Sequence, residues 1–244
     1  MTLLEKYNKS SKDKATKILD GAMAKLQNME ATFATCFPHP TLSAASTEFK
    51  KLNVESGSNE PVSKAVSMTI DEISTVSQDA RALEVFLNLH IPKMEDGNNF
   101  GVTVQLSMLK QLSDMQEAAG KAIDELSGYS NARAESLSKL NLPSVSSSIT
   151  KLTSSSTTDG KKEEKSSESK EEKKSSSDMT GPMFDSRVGA LIATDVQYYS
   201  KAQRAFQATI SSYMAVLDYM DKNKEKLEKP KGSGGSHSGY QSMY

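Results

Sequence analysis

The sequence is poor in aromatic residues: it contains no tryptophan, and aromatic residues occupy 6% of its 244 positions. So few rings exclude a large aromatic core and an aromatic surface of the kind that stacks nucleic-acid bases. Charge of either sign is not in excess, because 30 Lys and Arg face 31 Asp and Glu. A formal net charge of -1 gives no electrostatic reason to expect a nucleic-acid partner.

Cysteine is represented by Cys36 alone. One thiol excludes an intrachain disulfide and a zinc site of several cysteines, and it suits a reducing compartment. The sequence also lacks a run of about 18 apolar residues that could span a bilayer. Its first residues lack the apolar segment of a secretory signal. We therefore predict a cytoplasmic or nuclear location, with no membrane partner.

Motifs that carry catalysis or cofactor binding are missing as well. The sequence has no nucleophile elbow, no phosphate-binding loop and no dinucleotide-binding glycine motif. Its three histidines, His39, His90 and His237, are scattered and form no metal-binding pair. We predict that the protein is not an enzyme and that it uses no cofactor or metal.

Four long segments carry apolar residues at steps of three and four, the spacing that places them on one face of a helix. These segments cover about 4–36, 61–89, 104–140 and 185–229. Pro38 ends the first segment, Pro61 suits the first turn of the second, and Pro230 ends the fourth. No strand-like alternation of comparable length occurs. The pattern predicts an all-α protein, an antiparallel up-down-up-down four-helix bundle of long helices.

Four finer expectations concern particular segments and residues of this bundle. Residues 41–60 are rich in Ser, Thr and Asn and indicate a linker with only a weak helical patch near 42–52, flexible at 56–59. Asp185 or Ser186 is predicted to cap the last helix. In the third helix Tyr129, Ser130 and Arg133 interrupt the apolar face and indicate a polar layer. Cys36 lies within the first apolar stripe, which favours a buried, inert thiol.

Composition then divides the chain. Residues 1–142 are predicted to hold the first three helices, and 183–230 the fourth. Residues 143–182 are a Ser-, Lys- and Glu-rich insert that cannot bury enough apolar surface to offset chain entropy, so we predict disorder. Residues 231–244 begin with GSGGSHSG and are predicted to form a flexible tail.

The most distinctive stretch is the loop segment, residues 91–105, with the sequence IPKMEDGNNFGVTVQ. Its D-G-N-N run accepts tight-turn backbone conformations, and it is longer than most helix connections in bundles. In an up-down-up-down bundle the loop segment and the C-terminus lie at one end, whereas the 38–60 linker and the insert lie at the other. This placement predicts a docking surface, although a rigid turn without a partner is an equally good reading of the residues alone.

The loop segment resembles, nearly residue for residue, the activation loop of the 11S proteasome regulators. LDYMDKNKEKLEKPKG, residues 217–232, is similar to the end of that family's last helix. The resemblance implies a ring of seven identical four-helix subunits that caps the α-subunits of the core proteasome without ATP. It implies that C-terminal tails dock between α-subunits while activation loops open the gate, so that peptide hydrolysis rises.

The resemblance assigns the activation-loop role to Lys93, Met94, Glu95, Asp96, Gly97, Asn98, Asn99, Phe100 and Gly101. It assigns proteasome docking to Ser242, Met243 and Tyr244.

Two features depart from the family pattern. Family members with a lysine- and glutamate-rich insert carry it between the first and second helices, whereas residues 161–174 here follow the third. The tail has Met243 before Tyr244 and so lacks the penultimate tyrosine of the ATPase-type docking signal. The loop is therefore expected to contribute more to gate opening than the tail.

Two other readings stay open. A helical scaffold or membrane-associated helical dimer would need a basic concave face, which the balanced charge does not favour. An unrecognised hydrolase is disfavoured because the sequence lacks the catalytic motifs named above.

Overall fold

The computed structural model describes residues 2–56, 59–92, 100–140 and 182–230. Every regular element in these ranges is an α-helix, which confirms the predicted all-α class. The helices of the described ranges are α1 (Leu3–Cys36), α2 (Leu42–Ser56), α3 (Glu60–His90), α4 (Phe100–Ser127), α5 (Tyr129–Ser138), α6 (Pro182–Lys222) and α7 (Lys224–Glu228).

The long helices pack in the predicted antiparallel order. Lys25 of α1 is paired with Asp79 of α3 at 2.6 Å. Eleven residues further along α1, Cys36 contacts Met68, which lies eleven residues earlier in α3. The helices α3 and α6 contact each other across the middle of the bundle, while α1 and α4 each pack against both of them. The four-helix bundle is thus confirmed.

The core follows the apolar stripes of the sequence. Met29, Leu83, Met108 and Tyr213 are fully buried, and complete burial of one large apolar side chain contributes about 1.5–3 kcal/mol. Scarce aromatic residues still form a local cluster, in which the Tyr199 ring lies 5.1 Å from that of Phe37 and 5.2 Å from that of Phe49. A low aromatic content does not exclude such a cluster, because α1, α2 and α6 converge there.

The helical patch predicted near 42–52 is a full helix, α2, over residues 42–56, so describing 41–60 as mainly a linker was wrong. The α2 side chains of Ala45 and Phe49 are fully buried in a core to which α6 contributes. Tertiary burial of these two residues outweighs the weak propensity of their Ser- and Thr-rich surroundings. Asn59, predicted to be flexible, is 3% exposed.

Two helix boundaries also differ from the prediction. The third predicted helix begins at Phe100 and is interrupted at Gly128, where a side chain would meet the Tyr198 hydroxyl at 2.9 Å. The fourth begins at Pro182, so Asp185 lies in its first turn and the predicted cap at Asp185 or Ser186 is wrong. A carboxylate in that turn still suits the positive end of the helix dipole.

Candidate functional site

The residues assigned to the activation loop and the tail are only partly described. Phe100 and Gly101 form the first turn of α4. Lys93 to Asn99, and Ser242, Met243 and Tyr244, lie outside the described residues. The structure does describe the segments that lead into both, and their roles stay predictions.

These leading segments meet at one end of the bundle. The helix α3 ends at His90, α4 begins at Phe100, and α7 ends at Glu228. We call this place the docking end and define it by His90, Phe100, Gly101, Leu227 and Pro230. Topology alone predicted that the loop segment and the tail would leave the bundle together, and the contacts below show that their flanks do.

Gln105 joins the two flanks. Its side chain is completely buried, and its amide nitrogen Nε2 donates to the carbonyl oxygen of His90 at 3.1 Å and to that of Leu227 at 2.8 Å. Both carbonyls lie in the last turn of a helix, where no intrahelical N–H is available to them. One amide group therefore satisfies acceptors at the C-terminal ends of both α3 and α7.

The orientation of this amide follows from chemistry. A carbonyl oxygen only accepts, so the NH2 group of Gln105 must face both carbonyls, since its own oxygen would meet them with like charge. The amide oxygen Oε1 is buried and accepts no hydrogen bond within the described part of the chain. The side chain is thus fixed by its two donor bonds.

Gly101 forms a second joint between the loop segment and the base of the tail. A Cβ atom at Gly101 would lie 2.1 Å from the carbonyl oxygen of Pro230 and 2.5 Å from its Cα. Such distances are far inside van der Waals contact, and the atoms involved are backbone. Only glycine allows the start of the tail to pass this close to α4.

Phe100 supplies a third, more exposed contact. The ammonium of Lys226 lies 4.7 Å from the centre of the Phe100 ring, within cation–π range. The Phe100 side chain is 60% exposed. The docking end therefore presents an aromatic ring and a cation to solvent above a buried amide.

Sequence reasoning included Gln105 in the loop segment but gave it no role. A signal was present, because Gly101, Gln105, Met108, Leu112 and Met115 follow one another at helical steps of three or four and all are buried. Spacing of this kind indicates that Gln105 faces the core. It does not identify the acceptors, since Leu227 is 122 residues away.

The known proteins that this chain resembles are named as proteasome activators. A family model described as Proteasome activator PA28, C-terminal, matches residues 55–152, less than half of the chain. Human Proteasome activator complex subunit 3 is 30% identical over 83 residues, covering 34% of this chain and 33% of the relative. Proteasome activator 28 of Dictyostelium discoideum is 36% identical over 55 residues, covering 22% of this chain and 24% of the relative.

Solved structures extend the likeness to nearly the whole chain. The 11S subunit of the Plasmodium falciparum proteasome, PA28, gives a TM-score of 0.60 at 17% identity, covering 93% of this chain and 92% of that one. A chain from the archaeal 20S proteasome in complex with mutated P26 activator gives 0.62 at 16% identity, covering 95% and 96%. The resemblance to the 11S proteasome regulators is confirmed.

The sequence matches cover only part of the chain, whereas the structural matches cover nearly all of it. The aligned stretch spans only about a third of the human relative, and 16–17% identity to the structures establishes the 11S fold alone. The matched residues 55–152 include the loop segment and Gln105. They end before Leu227, Pro230 and the tail, so the link between loop and tail is an observation of this structure.

The opposite end of the 11S fold contains a polar hub, formed by Asp195, Arg133, Tyr129, Asn53 and Asn59. The Asp195 carboxylate is fully buried and receives hydrogen bonds from Tyr129 (2.9 Å), Asn59 (2.8 Å) and Asn53 (3.0 Å), while Arg133 donates to both of its oxygens. Burial, followed by the negative charge of Asp195, raises the pKa of Tyr129. The hub joins α2, α5 and α6 to the start of α3.

The polar layer predicted in the third helix is therefore confirmed for Tyr129 and Arg133. Ser130 is exposed and does not take part. Cys36 is buried as predicted, and burial raises the pKa of its thiol.

The described ranges contain no group of three or more His, Cys, Asp and Glu side chains arranged to hold a metal ion. None of the helices in those same ranges combines the length and apolar character required to cross a bilayer.

Proposed function

We propose that this protein activates the core proteasome without ATP and without enzymatic activity of its own. The observation that carries the proposal is the convergence of both ends of the loop segment with the base of the tail around Gln105. The matched relatives are named as proteasome activators. One similar structure is an activator bound to an archaeal 20S proteasome.

The proposed mechanism divides the work between loop and tail. Ser242, Met243 and Tyr244 dock in recesses of the α-ring, and several weak tails on one ring act by avidity because each later contact is effectively intramolecular. Residues 93–101 contact the gate. They shift its equilibrium only if they bind the open state better than the closed one.

The activator is proposed to be a homo-heptamer located in the cytoplasm, the nucleus or both. A groove between α1 and α6 supports an assembly seam, because Met23 and Met214 are 67% and 48% exposed there beside Leu26 and Leu217. Large apolar side chains exposed together are typical of interaction surfaces. Met23→Glu should therefore lower the mass of the assembly, whereas Asn28→Asp, at an exposed position on a different face of α1 from Met23, should not.

The decisive experiment measures hydrolysis of a fluorogenic peptide by purified core proteasome, with and without this protein and in the absence of ATP. We expect stimulation by wild type, none by Gly97→Trp despite retained binding, and weaker binding after removal of 242–244. Deletion of 154–177 should leave stimulation intact. Absence of stimulation, together with a dimeric mass, would instead favour a helical scaffold.

A further inference from the structure

The base of the tail is attached to the helix that follows the loop rather than simply extending the helix that precedes it. After α6 ends at Lys222, a turn at Asn223 separates it from the five-residue α7. The helix α7 packs mainly against α4 and only slightly against α6. A displacement of α7 is therefore felt first by α4 and the loop segment.

Residues on both sides of 93–99 are joined to α7 or to the residues that follow it. At one end, His90 shares the Gln105 amide with Leu227. At the other end, the backbone of Gly101 lies directly against that of Pro230. Since one buried side chain and one glycine contact fix three backbone segments together, loop and tail base cannot shift independently without breaking hydrogen bonds to helix-end carbonyls.

We propose that Gln105 is a positioning residue that couples tail docking to the loop. A tail held in the α-ring fixes α7, and the Gln105 amide and the Gly101 contact transmit that position to the two ends of the loop. This inference rests on the proposed function, because it assumes that the tail docks and the loop acts on the gate. It adds that the two act as one linked device rather than as separate contacts.

Gln105→Met tests the coupling, because methionine fills a similar volume but cannot donate a hydrogen bond. Gln116→Met is the matched control: Gln116 lies on the same helix and donates to Glu84 at 2.9 Å, away from the docking end. The measurement is peptide hydrolysis by core proteasome over a range of activator concentrations. It separates maximal stimulation from the concentration that gives half of it.

We expect Gln105→Met to lower maximal stimulation by about fivefold or more, the range of ordinary coupling free energies. Its half-maximal concentration should stay within about threefold of wild type, because the tails that supply affinity are unchanged. Gln116→Met should match wild type in both. Equal maximal stimulation by the Gln105 and Gln116 variants would overturn the coupling while leaving the proposed function standing. Failure of wild type to stimulate would overturn both.

A second variant covers the case in which Gln105→Met fails to assemble. Gln105→Asn retains an amide but is one methylene shorter, so it cannot reach both carbonyls. We expect faster amide hydrogen exchange over 91–101 and over 224–230 in this variant, compared with Gln116→Asn. Faster exchange confined to one of the two segments would contradict the coupling.

Discussion

The two ends of the bundle are each fastened by one buried polar side chain, but the fastenings differ in charge. At the polar hub the Asp195 carboxylate is fully buried, forms an ion pair with Arg133 and is surrounded by four donor side chains. At the docking end the neutral Gln105 amide makes two hydrogen bonds to backbone carbonyls. A buried charge stripped of its partners is very costly, whereas a neutral hydrogen bond contributes about 0.5–1.5 kcal/mol.

The comparison indicates where the molecule is rigid and where it can adjust. The polar hub holds four helices by a charge that tolerates no loss of partners, so that end acts as an anchor. The docking end is held by neutral hydrogen bonds, whose loss costs less than the loss of a partner at the polar hub. In the proposed function, the more adjustable end is the one that meets the partner.

The largest expected effect is at the polar hub. Asp195→Ala leaves the Arg133 guanidinium, whose side chain is 12% exposed, without its carboxylate. We expect the free energy of unfolding to fall by about 3–5 kcal/mol, measured by urea denaturation at fixed protein concentration. The double variant Asp195→Leu with Arg133→Met should lose less, because it removes both charges. If Asp195→Ala were as stable as wild type, the polar hub would not be the more strongly held end of the bundle.

Tyr129→Phe removes one donor from Asp195 and should cost about 1.5–3 kcal/mol, the range for hydrogen bonds to charged groups. Tyr219→Phe is the control at the other end, where the hydroxyl lies 3.4 Å from the Val104 carbonyl. That longer, neutral contact should cost much less. Equal losses in the two variants would contradict the comparison.

Tyr129 also makes the stability of the protein depend on pH. The pKa of Tyr129 is raised by burial and then by Asp195, so above the unfolded value of about 10 the native state binds more protons than the unfolded state. Its contribution to stability is complete below that pH and is lost as the pH rises further. Denaturation at several alkaline pH values should show a shallower decline for Tyr129→Phe than for wild type.

Loss of the Gln105 hydrogen bonds should have a smaller effect on stability. Gln105→Met leaves two helix-end carbonyls without their donor, and we expect a loss of about 1–2 kcal/mol. Thermal unfolding beside Gln116→Met provides the measurement. A loss as large as that of Asp195→Ala would show that the docking end is an anchor as well.

The smallest effect is expected on the exposed face of α4. Lys121 and Glu117 form an ion pair at 2.6 Å, but their side chains are 75% and 66% exposed. Solvent screens such pairs, so Lys121→Ala should leave the midpoint of thermal unfolding unchanged. A clear decrease in the midpoint would mean that exposed ion pairs also stabilise the bundle, and that buried groups alone do not explain the difference between its two ends.

Much of this architecture could be predicted from the chain. The second predicted helix, 61–89, differs from α3 by one residue at each end, because its long apolar stripe and Pro61 mark it locally. The helix α2 was predicted only as a weak patch near 42–52, because its anchors Ala45 and Phe49 are stabilised by burial in a core that α6 helps to form. Tyr129 and Arg133 were noticed as a break in a stripe, but their acceptor Asp195 lies more than 60 residues away.

The sequence by itself determined the number and order of the long helices, and the bounds of α1 and α3 to within one residue, since helical periodicity and prolines act within a few residues of each position. That order fixed which connections share an end of the bundle. Only the tertiary structure decided that Gln105 reaches His90 and Leu227, and that Gly101 admits Pro230. Hydrogen bonds to backbone carbonyls can form with any residue that packing brings near, so residue types alone do not specify them.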